Sequence, residues 1–295
     1  MTFPQPTAGP PSAPPPAPAG YRGSRLLGGG DASGRNVWVA VVSTLVFFGV
    51  ATILIVQSPG WPEVKASFFD GAEFRYSLPR ILSKFGRNVS IFCIAEVFVL
   101  LFALLLAVLR SLPGPVFTPL RLLSAAYTDL FRGLPTILVI LLLGYGMPAL
   151  ELKGIPNSDY VWAIVALVLV YSAYVAEVYR AGIQSVHPSQ VAAARSLGLS
   201  RWQSMRHVVL PQAVRRVVPP LLNDFIGLQK DSALVAFLGV TEGLQQATII
   251  QGSDFNFAPF VALALVYVVI TIPQARLVDR MIARDQRRRQ GGATL

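Results

Sequence analysis

The sequence predicts an all-α integral membrane protein with about six transmembrane helices and one structured cytoplasmic loop. Three observations carry that prediction. Of the 295 residues 53% are hydrophobic and only 14% charged, where soluble domains carry about a quarter charged residues. Apolar runs recur at or near the ~20 residues that a helix needs to cross the hydrocarbon core. Arginines gather in the segments that alternate with those runs, as they do in cytoplasmic loops.

In chain order, residues 1–36 hold eight prolines in the first 20 positions and then Gly28-Gly29-Gly30. Such a segment cannot pack a core and is expected to be a disordered cytoplasmic tail. Residues 37–57 contain the first span, Val37 to Val56, whose polar members are Ser43, Thr44 and Thr52. That run starts too late and is too long for a signal-peptide core, and it lacks an Ala-x-Ala cleavage site, so it is expected to stay as an anchor. Residues 58–88 combine Lys65, Arg75, Arg80, Lys84 and Arg87 with Phe68, Phe69, Phe74 and Leu82. An amphipathic loop lying on the outer interface is expected there.

The remaining spans are read at 89–109, 135–150, 160–176, 213–228 and 260–272, within a transmembrane domain of 89–284. The run at 213–228 is interrupted by Pro219, Pro220, Asn223 and Asp224. Topology argues for counting it. Six spans put both termini on one side, and that side then holds 18 of the 25 basic residues, ending in a basic tail at 285–295. The positive-inside bias makes it the cytoplasm, for a multi-pass protein with both ends cytoplasmic. The net charge of +10 is thereby explained without nucleic acid. One cysteine, Cys93, and two histidines, His187 and His207, leave no material for a disulfide framework, and no metal site is expected.

The loop from 180 to 216 carries the strongest local signals. Pro188 suits the first turn of a helix expected to run to about Leu197. Gly198 falls where a left-handed cap is wanted. Ser200 with Gln203 fits a capping box that opens a second short helix, and Pro211 ends the unit or begins the next helix. Ala192, Ala193 and Ala194 leave the first helix slim, which either lets a partner backbone approach or reflects alanine's helix propensity alone. Two short helices joined at a glycine, near Arg195, Arg201 and Arg206, also imitate a DNA-binding helix-turn-helix. Both ends of this unit run into apolar spans, which leaves little freedom to enter a groove.

The same loop resembles the permease subunits of bacterial ABC importers. Their cytoplasmic signature reads Glu-Ala-Ala, three residues, Gly, nine residues, Ile, one residue, Leu-Pro. Here Ala193, Ala194, Gly198, Val208 and Leu210-Pro211 keep the spacing, while Ala192 replaces the glutamate and Val208 the isoleucine. Leu130-Phe131-Arg132-Gly133-Leu134-Pro135, Glu177-Val178-Tyr179-Arg180-Ala181-Gly182-Ile183 and Lys230-Asp231-Ser232-Ala233-Leu234 are similar to runs of the polar amino-acid branch. The match extends over most of Val89 to Arg284, so the first span looks like an addition to a five-helix core.

The resemblance implies that Ala193, Ala194, Gly198, Leu210 and Pro211, within 191–211, couple the chain to a separate ABC ATPase. It further implies a second permease chain, identical or homologous, an extracytoplasmic solute-binding protein, a polar amino-acid substrate and a bacterial cytoplasmic membrane. No Gly-x-x-x-x-Gly-Lys-Ser/Thr occurs, so ATP and magnesium belong to the partner, and this chain carries no catalytic residue and no cofactor.

Ionisable and amide groups inside spans are costly unless they face a cavity or a partner. Glu96, Asn223, Asp224, Lys230 and Asp231 are therefore the substrate-path candidates, each with a structural alternative. Glu177 and Arg180, three apart on one face, read as a structural pair. An ATP-driven importer permease is the leading reading. An ATP-independent transporter or channel fits the spans but leaves the capped loop unexplained, and a tethered DNA-binding regulator fits only the loop.

Overall fold

The structure is a computed structural model that describes residues 32–291, with side chains described from 36 to 284. The expected Pro-rich tail up to residue 31 lies outside the described residues, as do the side chains of the expected 285–295 tail; the backbone there continues a helix to Gly291. The described residues fall into two units that divide after Trp61.

The first unit contributes α1 (Ala32–Val56). From Val37 to Val56 it is apolar on every side, as a membrane span requires. Its two consecutive hydroxyls are silenced locally: Ser43 and Thr44 both donate to the carbonyl of Ala40, at 3.0 and 2.7 Å. In hydrocarbon an unpaired hydroxyl would cost more than this back-bond does.

The second unit is built from ten helices: α2 (Trp61–Phe68), α3 (Gly71–Ser111), α4 (Thr118–Gly133), α5 (Thr136–Ala149), α6 (Asp159–Gln184), α7 (Pro188–Ser196), α8 (Arg201–Ser204), α9 (Leu210–Asp231), α10 (Gly243–Asp254) and α11 (Ala258–Gly291). Four described helical segments are long and apolar enough to cross a membrane, Asn36–Val56, Trp61–Ser111, Asp159–Gln184 and Ala258–Arg284, and two bent pairs raise the number to as many as six.

The expected outer loop at 58–88 is corrected. Asp70 opens α3 by accepting from the amides of Ala72 and Glu73 at 2.8 and 3.2 Å, and the helix then runs 41 residues, about 60 Å at ~1.5 Å per residue. Ser77, Ile81, Phe85, Asn88, Phe92, Ala95, Val99, Ala103 and Leu106 are buried along it. Their spacing of three and four is one unbroken helical stripe. Of the apolar residues named for that loop, Phe68, Phe69 and Leu82 are exposed, while Ile81 and Phe85 pack in a cluster with Ala247 of α10 and Ala262, Leu263 and Val266 of α11.

The span expected at 135–150 is one arm of a bent pair. Leu134 is extended (φ −96°, ψ 138°), as the residue before a proline must be, and this breaks α4 from α5 at an angle of 101°. With 14 residues, α5 reaches about 21 Å, less than the ~30 Å hydrocarbon thickness. It crosses only in combination with α4, or re-enters. The run at 213–228 lies within α9, which passes through Pro219 and Pro220 without ending.

The larger apolar cluster centres on α6, whose Ala163, Ala166, Leu167, Val170, Ala173 and Val175 are buried. Small residues admit close neighbours. A methyl on Gly182 would sit 2.0 Å from Cγ2 of Val217 in α9, and one on Gly144 of α5 would sit 2.2 Å from Cδ1 of Leu238. Gly182→Ala should therefore overpack the α6–α9 contact and destabilise by about 1–3 kcal/mol. Thermal unfolding in detergent checks it, and Gly182→Ala with Val217→Ala should recover most of the loss; equal melting of wild type and single variant would show that the helices part freely.

Candidate functional site

At the end of the bundle where α6 finishes, His187 caps α7, its Nδ1 accepting from the amide of Ser189 at 3.2 Å. Pro188 takes the first helical position. The helix ends in a Schellman motif: Gly198 is left-handed at φ +87°, its amide donates to the carbonyl of Arg195 at 3.0 Å, and the Leu199 amide reaches back to Ala194 at 3.2 Å. Only glycine adopts this φ without strain. Ser200 and Gln203 then close a reciprocal capping box, at 2.8 and 3.2 Å.

After the four residues of α8, a π-turn spans Met205–Val209 and leads into α9, with Pro211 in its first turn. Leu210 and Pro211 therefore open the helix that returns through the bundle. Around the loop, Ala193 is exposed and Ala194 is 5% exposed. Of the alanines, Ala192 and Ala193 face outward while Ala194 seats α7 on its own chain. Leu197 and Trp202 are large apolar groups left 84% and 70% exposed. Sequence reasoning passed over both. Their signal was an apolar residue on either side of a cap, where nothing in the chain follows to cover it.

Directly inside this end, Glu177 of α6 holds Arg180 through both oxygens and Arg110 of α3 at 3.3 Å. Arg110 also donates to Thr128 of α4 at 3.1 Å. The expected Glu177–Arg180 pair is thus part of a junction of three helices. Arg216 of α9 donates to the carbonyl of Ser185, so the loop is fastened at both its ends.

The polar groups within the spans divide. Glu96 of α3 and Asp224 of α9 lie within electrostatic reach of one another, and Tyr171 of α6 feels Asp224 and donates to Asp231 at 2.9 Å. Among the described residues no hydrogen bond reaches the buried Oδ2 of Asp224. Asn223 and Lys230 are exposed. The structure therefore brings Asp224 and Asp231 together around Tyr171, sets Glu96 within reach of Asp224 and Tyr179, and leaves Asn223 and Lys230 on the surface of the chain.

A further polar node went unread in the sequence. Glu242 is fully buried and caps α10 by accepting from the amides of Leu244 and Gln245, both at 2.9 Å. Beside it Asn88 accepts from the amide of Gly243 at 2.9 Å and donates to Ser232 and Tyr267. Its sequence signal, an acid one residue before an unbroken helical run, is an ordinary cap, and nothing local shows that it is buried.

An apolar bundle with a capped two-helix loop at one end and unpaired acids between its spans defines a membrane-embedded transport subunit. Residues 100–287 match the family described as "Binding-protein-dependent transport system inner membrane component", and the chain belongs to that family. It is 35% identical over 213 residues to the probable amino-acid ABC transporter permease protein PatM of Vibrio harveyi, covering 70% of this chain and 94% of that protein. It is 36% identical over 186 residues to the probable amino-acid permease protein YxeN of Bacillus subtilis, covering 63% of this chain and 82% of the relative. A crystal structure titled as an amino acid ABC transporter with histidines superposes with a TM-score of 0.66 at 32% identity, over 73% of this chain and 98% of that one.

Ser200→Ala removes one half of the capping box and should cost the loop about 1 kcal/mol. Amide hydrogen exchange of residues 201–204 is the measurement, with protection falling while that of α6 stays constant. Unchanged protection would mean that α8 is held by its contacts and not by its cap.

Proposed function

We propose that this chain is the permease of an ATP-driven importer of polar amino acids, set in a bacterial cytoplasmic membrane with both termini cytoplasmic. Two permease chains would assemble with two ABC ATPase subunits and receive substrate from an extracytoplasmic solute-binding protein. ATP and magnesium belong to the ATPase, and this chain supplies the path and the lever. The observation that carries the reading is the loop 191–211, rigidly capped at Gly198 and Ser200 while presenting uncovered Leu197 and Trp202. A surface so ordered and so apolar fits a second protein.

The missing glutamate at Ala192 shifts the character of that contact. An alanine offers no charge, so docking rests on shape, on Leu197 and Trp202, and on the exposed Arg195 and Arg201. The junction at Glu177 then carries loop motion into α3, α4 and α6 together. Gly198→Val should leave assembly intact, lower uptake in vesicles roughly tenfold and keep most of the ATP hydrolysis, because a β-branched residue at positive φ displaces α8 by straining the cap. Tight coupling in that variant would remove the cap from the mechanism.

In the path, Glu96 and Asp224 are the acids that would meet a substrate ammonium in a low-dielectric setting. Glu96→Gln and Asp224→Asn should each reduce vesicle uptake of amino acids by about tenfold or more without loss of the ATPase from the purified complex. Full transport by both would exclude them. Co-purification with a stoichiometric ATPase tests the whole reading; uptake by the isolated chain, with no ATPase, would favour an ATP-independent transporter.

A further inference from the structure

The end of the bundle opposite the coupling loop carries a charge pattern that the transport path does not use. From Asp70 onward, α3 buries Ser77, Ile81, Phe85 and Asn88 against its neighbours. On another face, Arg80, Lys84 and Arg87 stand at intervals of four and three and are all exposed. Among the described residues none of the three is in an ion pair. Two are held in place: the Arg80 guanidinium lies 3.5 Å from the centre of the Tyr76 ring and donates to the Tyr76 carbonyl at 2.7 Å, and Arg87 donates to the carbonyl of Thr241 at 3.0 Å.

Lys84 and Arg87 also line a cavity of about 890 Å³ between α3, the start of α6 and the turn at 239–241. Ser83, Ser90 and Tyr160 contribute hydroxyls to it, and Asp159 is its acid. Positive charge dominates, the walls are polar, and the mouth is open. Such a surface sits where few cations are expected, on the side that a positive-inside distribution leaves poor in them.

We propose that the Arg80–Lys84–Arg87 stripe and its adjoining cavity are the docking surface for an acidic lobe of the solute-binding protein, with a carboxylate side chain of that protein entering the cavity. The inference rests on the importer reading and assigns its outer contact. Charge complementarity is the argument: cations outnumber acids on this surface, and with Arg80 and Arg87 already held in place they cost a partner little ordering and raise the encounter rate, which salt then screens. A lipid headgroup would take the same charges, with Val240 in the cavity and the exposed Leu82 and Val89 on α3 as apolar neighbours, and the test below separates it from the binding protein.

The test uses the complex reconstituted in vesicles, with ATP hydrolysis followed against concentration of the liganded binding protein. Arg80→Gln with Lys84→Gln should raise the half-saturating concentration about tenfold, leave the maximal rate unchanged and flatten its dependence on salt. Arg87 is spared in that pair because its bond to Thr241 has a structural share. Asp159→Asn should act in the opposite sense, lowering the half-saturating concentration about threefold by removing repulsion of the incoming carboxylate. Arg75→Gln, elsewhere on α3, should change nothing.

An unchanged half-saturating concentration in the double variant overturns the proposal. So does a weaker response in Asp159→Asn, which would mean that the cavity holds an ammonium. An effect of the double variant that appears only with phosphatidylglycerol in the vesicles, and not in phosphatidylcholine alone, overturns it in favour of a headgroup. If the wild-type complex shows no stimulation by any binding protein, it is the importer reading that fails, and the two failures are told apart.

Discussion

The permease unit depends on how closely other helices can approach α6. In a bilayer the hydrophobic effect does not press helices together, because lipid tails are as apolar as leucine; contact area and small side chains decide the packing. Along α6 the buried positions are largely Ala163, Ala166, Ala173, Ala176 and Gly182, interleaved with Leu167, Val170 and Val175. At Gly182 there is no room for even a methyl beside Val217. Because α6 touches α3, α4, α5 and α9, a displacement at its end reaches every helix that lines the acids around Tyr171. Close-packed interfaces of this kind shift between discrete arrangements more readily than they stretch.

That end is where polar bonding takes over from packing. Glu177 gathers Arg110 and Arg180, while Arg216 returns to the carbonyl of Ser185. Partly exposed pairs of this kind contribute little to stability, about 0–1 kcal/mol each. Their value is directional: they orient α3, α4 and α6 with respect to the first residues of the loop. A rigid loop attached to a rigid junction is a lever, and a loop of flexible residues in the same place would dissipate the push it receives.

The loop was legible because its signals are local. Pro188, Gly198, Ser200 and Gln203 each meet a backbone requirement that two or three neighbouring residues define, and each is found doing so. Span positions were legible where apolar length was unambiguous, as at Val37–Val56 and within α6 and α11. The failures at 71–88 and at Glu242 share one cause. The segment 71–88 has the composition of an interfacial helix, and only the partners on α10 and α11, some 160 residues further on, decide that Ile81 and Phe85 are core. Likewise Glu242 reads as a cap, and its burial depends on Asn88 and Tyr267 arriving from other helices.

The unpaired acids show why the path resisted assignment more than the loop did. Asn223 and Asp224 are adjacent in sequence and chemically alike, yet one is exposed and the other carries a buried oxygen with no donor. Their difference is about 100° of rotation around α9, the step between any two neighbours on a helix. An intramembrane carboxylate left without a cation of its own is a site that a cationic group can complete. The fold thus separates two kinds of charge by its length: Glu96 and Asp224, without a cation in an ion pair among the described residues, midway along the helices, and an excess of cations over acids at the far end of α3.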